Sequence, residues 1–275
     1  MDVVLSNLVY RVLTAFVLGF IALYLTWLGG ISFFLFVWCI GGFVLYEWMS
    51  ITKEKWCILQ KILASTFYLI FGFFLVLSVS ASLIFCVLIV LAAVLAIISI
   101  KKSGWVFCGF LYASFPVVAL CFLRDHEILG FQVVIFLFTI VWGTDIGGYF
   151  IGRALGGPKL APQFSPNKTW SGALGGTFVG VFGGIWAAFG FFDINLASFF
   201  VPLLTLVLSI VSQLSDLGQS WLKRRFSVKD SSSLLPGHGG FMDRIDGLVG
   251  AAFLLYLIGS FMSDMDAPFN LFSMI

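Results

Sequence analysis

Nine apolar stretches, each about as long as a membrane-spanning helix, dominate this sequence. A helix that crosses the bilayer needs roughly 20 mostly apolar residues. The sequence therefore predicts an all-α, polytopic integral membrane protein with about nine transmembrane helices. The predicted spans are 10–28, 31–49, 59–79, 82–100, 104–123, 128–151, 171–192, 196–221 and 243–263.

The overall composition excludes several other classes of protein. Hydrophobic residues make up 61% of the chain and charged residues only 10%, whereas soluble proteins carry about 25% charged residues. A soluble enzyme, a disordered chain and a collagen-like fibre are therefore excluded. The net charge of +2 is too small for a basic nucleic-acid binder, so no nucleic-acid partner is expected.

The basic residues define a predicted orientation in the membrane. When the nine stretches are crossed in turn, every Lys and Arg except Arg124 falls on the same side as Arg11. The positive-inside rule then predicts a cytoplasmic amino terminus and an outside carboxyl terminus. Two cytoplasmic loops, 152–170 and 222–242, are long and rich in Gly, Pro, Ser and Lys. Because loops often carry function, we expect the functional residues there.

Four aspartates lie in or at the ends of apolar stretches, where a charge costs roughly 2.5–3.5 kcal/mol at the bilayer centre. They are Asp145, Asp216, Asp243 and Asp246. The helical rise of 1.5 Å per residue puts all four near the cytoplasmic interface. Carboxylates at one depth repel one another unless a cation lies between them, and Mg²⁺ prefers such oxygen ligands. Interfacial salt bridges with nearby Lys and Arg are the alternative explanation.

A glycine-rich turn precedes the ninth stretch and suits an anionic ligand. In the sequence PGHGG, residues 236–240, glycines allow backbone N–H groups to approach a phosphate, and the following helix amino terminus favours one. The basic residues nearby fit the same phosphate-rich substrate.

The longest motif surrounds this turn. The run from Ser220 to Asp246, SWLKRRFSVKDSSSLLPGHGGFMDRID, resembles the signature of the phosphatidate cytidylyltransferases, also called CDP-diacylglycerol synthases. Two upstream runs, WGTDIGGYFIGR at 142–153 and SPNKTWSG at 165–172, are also similar to that family. The resemblance covers roughly 100–265. It predicts amino-terminal transmembrane helices over 1–100 and a catalytic transmembrane region over 101–275.

The resemblance implies that the chain transfers CMP from CTP to phosphatidate, giving CDP-diacylglycerol and pyrophosphate for phospholipid biosynthesis. It implies Mg²⁺, or alternatively Mn²⁺, as the cofactor. The implied metal ligands are Asp216, Asp243 and Asp246, and Lys223 and Arg244 complete the implied catalytic set. The implied substrate-binding residues are Ser165, Lys168, Ser220, Arg224, Lys229, His238, Gly239 and Gly240.

One position departs from the family pattern. Ser171 stands where many members carry Glu, and Asp145 is the acid expected to replace it. For His238, a phosphate contact and a role in organising the turn are both open.

Two other functions remain as alternatives, namely another metal-dependent membrane lipid phosphotransferase and a transporter. The compact chain favours a bacterial inner-membrane enzyme whose active site faces the cytoplasm. The lipid bilayer, CTP and phosphatidate are the expected partners. A ridge of small residues on the seventh stretch would serve either a homodimer or internal packing. The ridge consists of Gly172, Gly176, Gly180 and Gly184.

Overall fold

The structure is a computed structural model that describes residues 2–52, 56–99, 104–192, 199–235 and 239–274, with side chains from Thr14 onward. Within these ranges the chain forms nine α-helices, one antiparallel hairpin and a 3₁₀ helix at Pro268–Ser273. The helices are α1 (Asp2–Leu28), α2 (Gly30–Ile51), α3 (Ile58–Val76), α4 (Ala81–Ile98), α5 (Trp105–Arg124), α6 (Leu129–Leu155), α7 (Trp170–Phe191), α8 (Phe200–Arg225) and α9 (Met242–Met262). The hairpin strands are β1 (Lys159–Ala161) and β2 (Ser165–Thr169).

The helices confirm the predicted class of protein, an all-α polytopic membrane protein. Among the described residues, the eight helices α2 to α9 are long and apolar enough to cross a membrane. The first predicted span corresponds to α1, whose described apolar part, Thr14–Leu28, is shorter. The predicted start of the eighth span, residue 196, lies outside the described residues. The orientation of the termini stays a prediction.

Both predicted loops are more regular than the sequence indicated. In 152–170, α6 continues to Leu155 and the hairpin follows. The two strands pair the backbone N–H and C=O groups that an irregular loop would leave without partners. In 222–242, α8 continues to Arg225. Lys and Arg are good helix formers and are favourable at a helix carboxyl terminus, which explains the extension. Lys223 and Arg224 therefore lie on the last turn of α8, not in a loop.

The chain forms two compact units. The first comprises residues 1–121 and 226–245, and the second comprises 122–225 and 246–275. The sequence-based division into amino-terminal helices over 1–100 and a catalytic region over 101–275 concerns function, not compactness, and stays a prediction. The family signature is thus divided, because its segment 226–245 belongs to the unit formed by the amino-terminal helices.

Aromatic side chains hold the first unit together. The indole N–H of Trp48 on α2 donates to the carbonyl oxygen of Trp105 on α5 at 2.9 Å. The hydroxyl of Tyr68 on α3 donates to the carbonyl oxygen of Trp38 on α2 at 2.7 Å. These bonds satisfy polar groups among buried apolar side chains, where an unpaired donor is costly.

In the second unit, the glycine ridge of α7 packs against α6. A Cβ added at Gly172 would lie 2.8 Å from the carbonyl oxygen of Gly148. One added at Gly176 would lie 2.5 Å from the carbonyl oxygen of Thr144. Because real Cβ atoms do not approach backbone so closely, only glycine allows this helix separation. The ridge is used for internal packing, and homodimerisation stays a prediction.

Candidate active site

Three aspartates and a lysine form an acidic cluster in the second unit. Asp145 lies on α6, Asp216 on α8 and Asp246 on α9. The charge of Asp216 acts on both of the other carboxyl groups, and that of Asp145 acts on Asp246. Lys168 of β2 forms an ion pair with the Asp216 carboxylate, Oδ2. Ser220, one turn along α8, approaches the other oxygen, Oδ1, at 3.5 Å. The structure thus brings together two of the predicted metal ligands, Asp145 and two predicted substrate-binding residues.

The hairpin places Lys168 at this cluster. Gly156 and Gly157, which follow α6, adopt φ values of 62° and 101°, a region that favours glycine. β1 and β2 then pair, with Lys159 opposite Thr169. Thr169 ends the hairpin and caps α7, because its hydroxyl accepts a hydrogen bond from the Gly172 N–H at 3.1 Å. Lys168 therefore lies on a paired strand, one residue before the cap of α7.

Ser171, where many family members carry Glu, has a structural partner. Its hydroxyl donates to the carbonyl oxygen of Gly156 and lies 3.0 Å from the Thr169 hydroxyl. Ser171 therefore ties the start of α7 to the entry of the hairpin. Asp145 is close enough for its carboxylate to interact with Asp216 and Lys168. Its proposed replacement of the missing Glu remains a prediction.

The cluster suits a hard divalent cation in its chemistry. Three carboxyl groups lie within electrostatic range of the two ammonium groups of Lys168 and Lys223, so acidic groups outnumber basic ones. Among the described residues, no three acidic, His or Cys side chains are close enough to hold a metal ion by themselves. Mg²⁺ normally needs only one or two carboxylates and takes its other ligands from water and phosphate oxygens. The donor set therefore fits Mg²⁺.

Asp246 is additionally fixed through its backbone. Its carbonyl oxygen accepts a hydrogen bond from the Ser215 hydroxyl of α8 at 2.5 Å. Its carboxylate, through Oδ1, accepts the Gly247 N–H at 3.0 Å. A Cβ at Gly247 would lie 2.6 Å from the Ser212 hydroxyl. Close packing of α9 on α8 therefore fixes the backbone of Asp246, from which its carboxylate extends.

In the first unit, Asp243 organises the signature segment, residues 226–245. One carboxylate oxygen, Oδ2, accepts the Ser231 N–H and hydroxyl, both at 2.8 Å, and the Gly240 N–H at 3.0 Å. Asp243 is in the first turn of α9, where a negative charge is favourable. Gly239 has φ of 82°, and its carbonyl oxygen accepts the Leu235 N–H at 2.9 Å. Phosphate binding by the two glycines remains a prediction.

A buried glutamate, absent from the predicted site, meets the same segment. Glu47 of α2 is fully buried and lies within hydrogen-bond distance of four donors. Its donors are the hydroxyls of Ser231 and Ser232 and the backbone N–H groups of Phe241 and Met242. The sequence carried a signal for it, because Glu47 is an acid within the apolar stretch 31–49. The cost of an intramembrane charge, applied to the four aspartates, applies equally to Glu47.

The other predicted site residues have simpler surroundings. The Arg224 side chain donates from Nε to the carbonyl oxygen of Phe164 at 3.3 Å, which joins the end of α8 to the hairpin. Ser165 begins β2, and Lys229 and Arg244 are exposed. His238 lies outside the described residues.

Comparison with known proteins identifies the family. The chain matches the model of the cytidylyltransferase family over residues 9–262. The chain belongs to this family. A phosphatidate cytidylyltransferase of Brucella suis biovar 1 (strain 1330) is 46% identical over 273 residues, which cover 98% of this chain and 99% of the relative. A phosphatidate cytidylyltransferase of Bacillus subtilis (strain 168) is 32% identical over 267 residues, covering 91% and 97%.

The similarity to these cytidylyltransferases extends beyond the residues that suggested it. The sequence motifs lay within residues 100–265, whereas the matched region begins at residue 9. The amino-terminal helices are therefore part of the family's common chain. This agrees with the contribution of Glu47 to the signature segment.

Proposed function

We propose that this chain is a phosphatidate cytidylyltransferase, which makes CDP-diacylglycerol and pyrophosphate from CTP and phosphatidate. The observation that carries the proposal is the 46% identity, over nearly the full length, to relatives of that name. Such full-length similarity favours this function over a different lipid phosphotransferase or a transporter. We propose the bacterial inner membrane as its location, with the active site facing the cytoplasm.

The reaction is a substitution at phosphorus. A phosphate oxygen of phosphatidate forms a bond to the α-phosphorus of CTP, and the bond from that phosphorus to the bridging β-phosphate oxygen breaks. Pyrophosphate leaves with the electron pair. The attacking phosphate is already ionised, so a general base is not required. Both reactants are anions, and their mutual repulsion is the main barrier that the protein must lower.

The acidic cluster supports a metal-dependent form of this reaction. We assign Asp216 and Asp246 as ligands of Mg²⁺, which Mn²⁺ could replace, and the family resemblance adds Asp243. Bound Mg²⁺ would neutralise charge on the triphosphate and on the leaving pyrophosphate. Asp145 adds negative charge beside these ligands and thereby favours cation binding.

The basic residues are proposed to bind the substrates' phosphates. Lys168 carries a positive charge into the cluster from the hairpin, and Lys223 lies close enough to act on Asp246. Arg224, Lys229 and Arg244 are further candidates for phosphate contacts. CTP arrives from water, whereas phosphatidate arrives from the bilayer. An interfacial position lets the lipid keep its acyl chains in the membrane while its headgroup reacts.

Purified protein in detergent, given phosphatidate, CTP and Mg²⁺, tests the proposal. We expect CDP-diacylglycerol and pyrophosphate in equal amounts from the native chain and no product from a folded Asp243→Asn variant. Asp264→Asn is the matched control, because Asp264 is an exposed acid beyond α9. Absence of product from the native chain with every lipid and divalent metal would overturn the proposed reaction. Full activity of Asp243→Asn would overturn only its assignment as a ligand.

A further inference from the structure

Glu47 contacts two parts of the signature segment that are separated in sequence. Ser231 and Ser232 form one part, and Phe241 and Met242 form the other. Its Oε1 accepts the Ser232 hydroxyl at 2.5 Å and the Phe241 N–H at 2.9 Å. Its Oε2 accepts the Met242 N–H at 2.7 Å and lies 3.1 Å from the Ser231 hydroxyl. Each oxygen therefore lies beside one serine hydroxyl and one backbone N–H at the start of α9.

These bonds replace the water that a buried carboxylate has lost. The first N–H groups of a helix have no partner within the helix, and an anion is favourable beside them. Glu47 supplies that anion to α9 from α2. Because both of its oxygens are already surrounded by donors from this segment, Glu47 is suited to holding the segment and not to binding a metal or a phosphate.

The surroundings of Glu47 reinforce the same connection. Phe43, one turn earlier on α2, stacks on the ring of Phe241 with the ring centroids 4.6 Å apart. A Cβ added at Gly240 would collide with the carboxylate of Glu47 and the hydroxyl of Ser231. This glycine is therefore needed for the close approach of the loop to α2.

The connection reaches Asp243 through one hydroxyl group. Ser231 Oγ lies 2.8 Å from Asp243 Oδ2 and 3.1 Å from Glu47 Oε2. A hydroxyl has a single hydrogen, so it donates to one carboxylate at a time and lies between the two. A change at Glu47 would therefore alter the setting of Asp243 without removing any group from Asp243 itself.

We propose that Glu47 is a positioning residue for the cytidylyltransferase reaction, which fixes Ser231 and Ser232 and the start of α9 so that Asp243 is presented correctly. The kinetic part of this inference rests on the proposed function. The structural part does not, because it concerns the order of the loop alone.

The test compares Glu47→Gln with Gln60→Met. The Gln side chain keeps the shape of Glu47 but turns an NH₂ group toward N–H or hydroxyl donors. Gln60 is a matched control, since it is a buried polar residue of the same unit that bonds Ser99 and the Cys57 N–H. Hydrogen–deuterium exchange of the peptide over 239–245 reports the order of the segment, and steady-state kinetics report catalysis.

We expect Glu47→Gln to speed amide exchange over 239–245 at least tenfold and to lower kcat by roughly 10–100-fold, the usual effect of losing a group that orients a metal ligand. The KM for phosphatidate should stay unchanged, and Glu47→Asp should recover part of kcat. Gln60→Met should change neither the exchange of this segment nor kcat. Unchanged exchange in Glu47→Gln, or an equal loss of kcat in Gln60→Met, would overturn the inference.

If Glu47→Gln does not fold, Gly240→Ala provides the second variant, because its Cβ displaces the loop from Glu47. It should reproduce the faster exchange, and normal exchange over 239–245 would overturn the inference whatever its kcat. A native chain that makes no CDP-diacylglycerol would contradict the proposed function. The exchange comparison would still decide whether Glu47 orders the loop.

Discussion

Lys168 of β2 and Asp216 of α8 form an ion pair that connects the hairpin to the acidic cluster. The family resemblance predicts different roles for the two residues, substrate binding for Lys168 and metal binding for Asp216. In the structure the lysine neutralises part of the cluster. A cation or a phosphate that enters the cluster will therefore compete with one member of this pair.

We predict that Asp216→Asn lowers CDP-diacylglycerol synthesis at least about 100-fold, since a direct ligand should matter more than a group that orients one. Its effect on stability should be modest. The two side chains are only 29% and 23% exposed, so the pair should be worth somewhat more than the roughly 0–1 kcal/mol of a solvent-exposed pair. A thermal-unfolding double-mutant cycle with Lys168→Gln measures the coupling. A coupling of several kcal/mol would show that the pair is mainly structural.

Removal of divalent metal by EDTA should abolish activity, and added Mg²⁺ or Mn²⁺ should restore it.

We further predict that Asp145→Asn raises the Mg²⁺ concentration for half-maximal activity roughly 10–100-fold, because it removes a negative charge beside the ligands. Asp264→Asn serves as the control and should leave the Mg²⁺ curve in place. An Asp145→Asn variant with the native Mg²⁺ curve would exclude Asp145 from the cation site.

Gly176→Ala should destabilise the chain by about 1–3 kcal/mol, the usual cost of overpacking. The added Cβ would lie 2.5 Å from the carbonyl oxygen of Thr144, and backbone cannot move aside cheaply. Gly190→Ala on the same helix is the matched control, because nothing lies within 4 Å of its added Cβ. Thermal unfolding in detergent compares them, and equal stability of the two variants would argue against close α6–α7 packing.

Thr169→Ala should cost about 0.5–2 kcal/mol of stability, because α7 loses the hydroxyl that caps its amino terminus. Thr169→Ser keeps the oxygen and should retain most of the stability. Thermal unfolding gives the comparison. A Thr169→Ser variant as unstable as Thr169→Ala would show that the methyl group matters more than the cap.

Much of the architecture followed from hydropathy, because a helix long enough to cross a bilayer leaves a long apolar run. The predicted spans 31–49 and 243–263 agree with α2 and α9 to within two residues at each end. The hairpin was not predicted. Its strands are only 3 and 5 residues long, and β2 contains Pro166, so neither alternation nor β-propensity gives a signal.

The candidate site was predictable where an acidic residue lies in an apolar stretch, because a charge there is costly in free energy. Asp145, Asp216 and Asp246 drew attention as acids in apolar helices, and the structure groups them. Glu47 has the same property but lies far in sequence from the motif that it contacts. Only the fold reveals that distant pairing.

The separation of Glu47 from its partners has a consequence for biosynthesis. Met242, one of its donors, follows it by 195 residues. At about 5–20 residues per second, a ribosome needs roughly 10–40 s to make that stretch. Throughout this interval the nascent chain holds an acid in an apolar helix without the donors that surround it in the finished protein. Assembly of the amino-terminal half therefore ends only when nearly the whole polypeptide has emerged, and a truncated chain would keep this acid uncompensated.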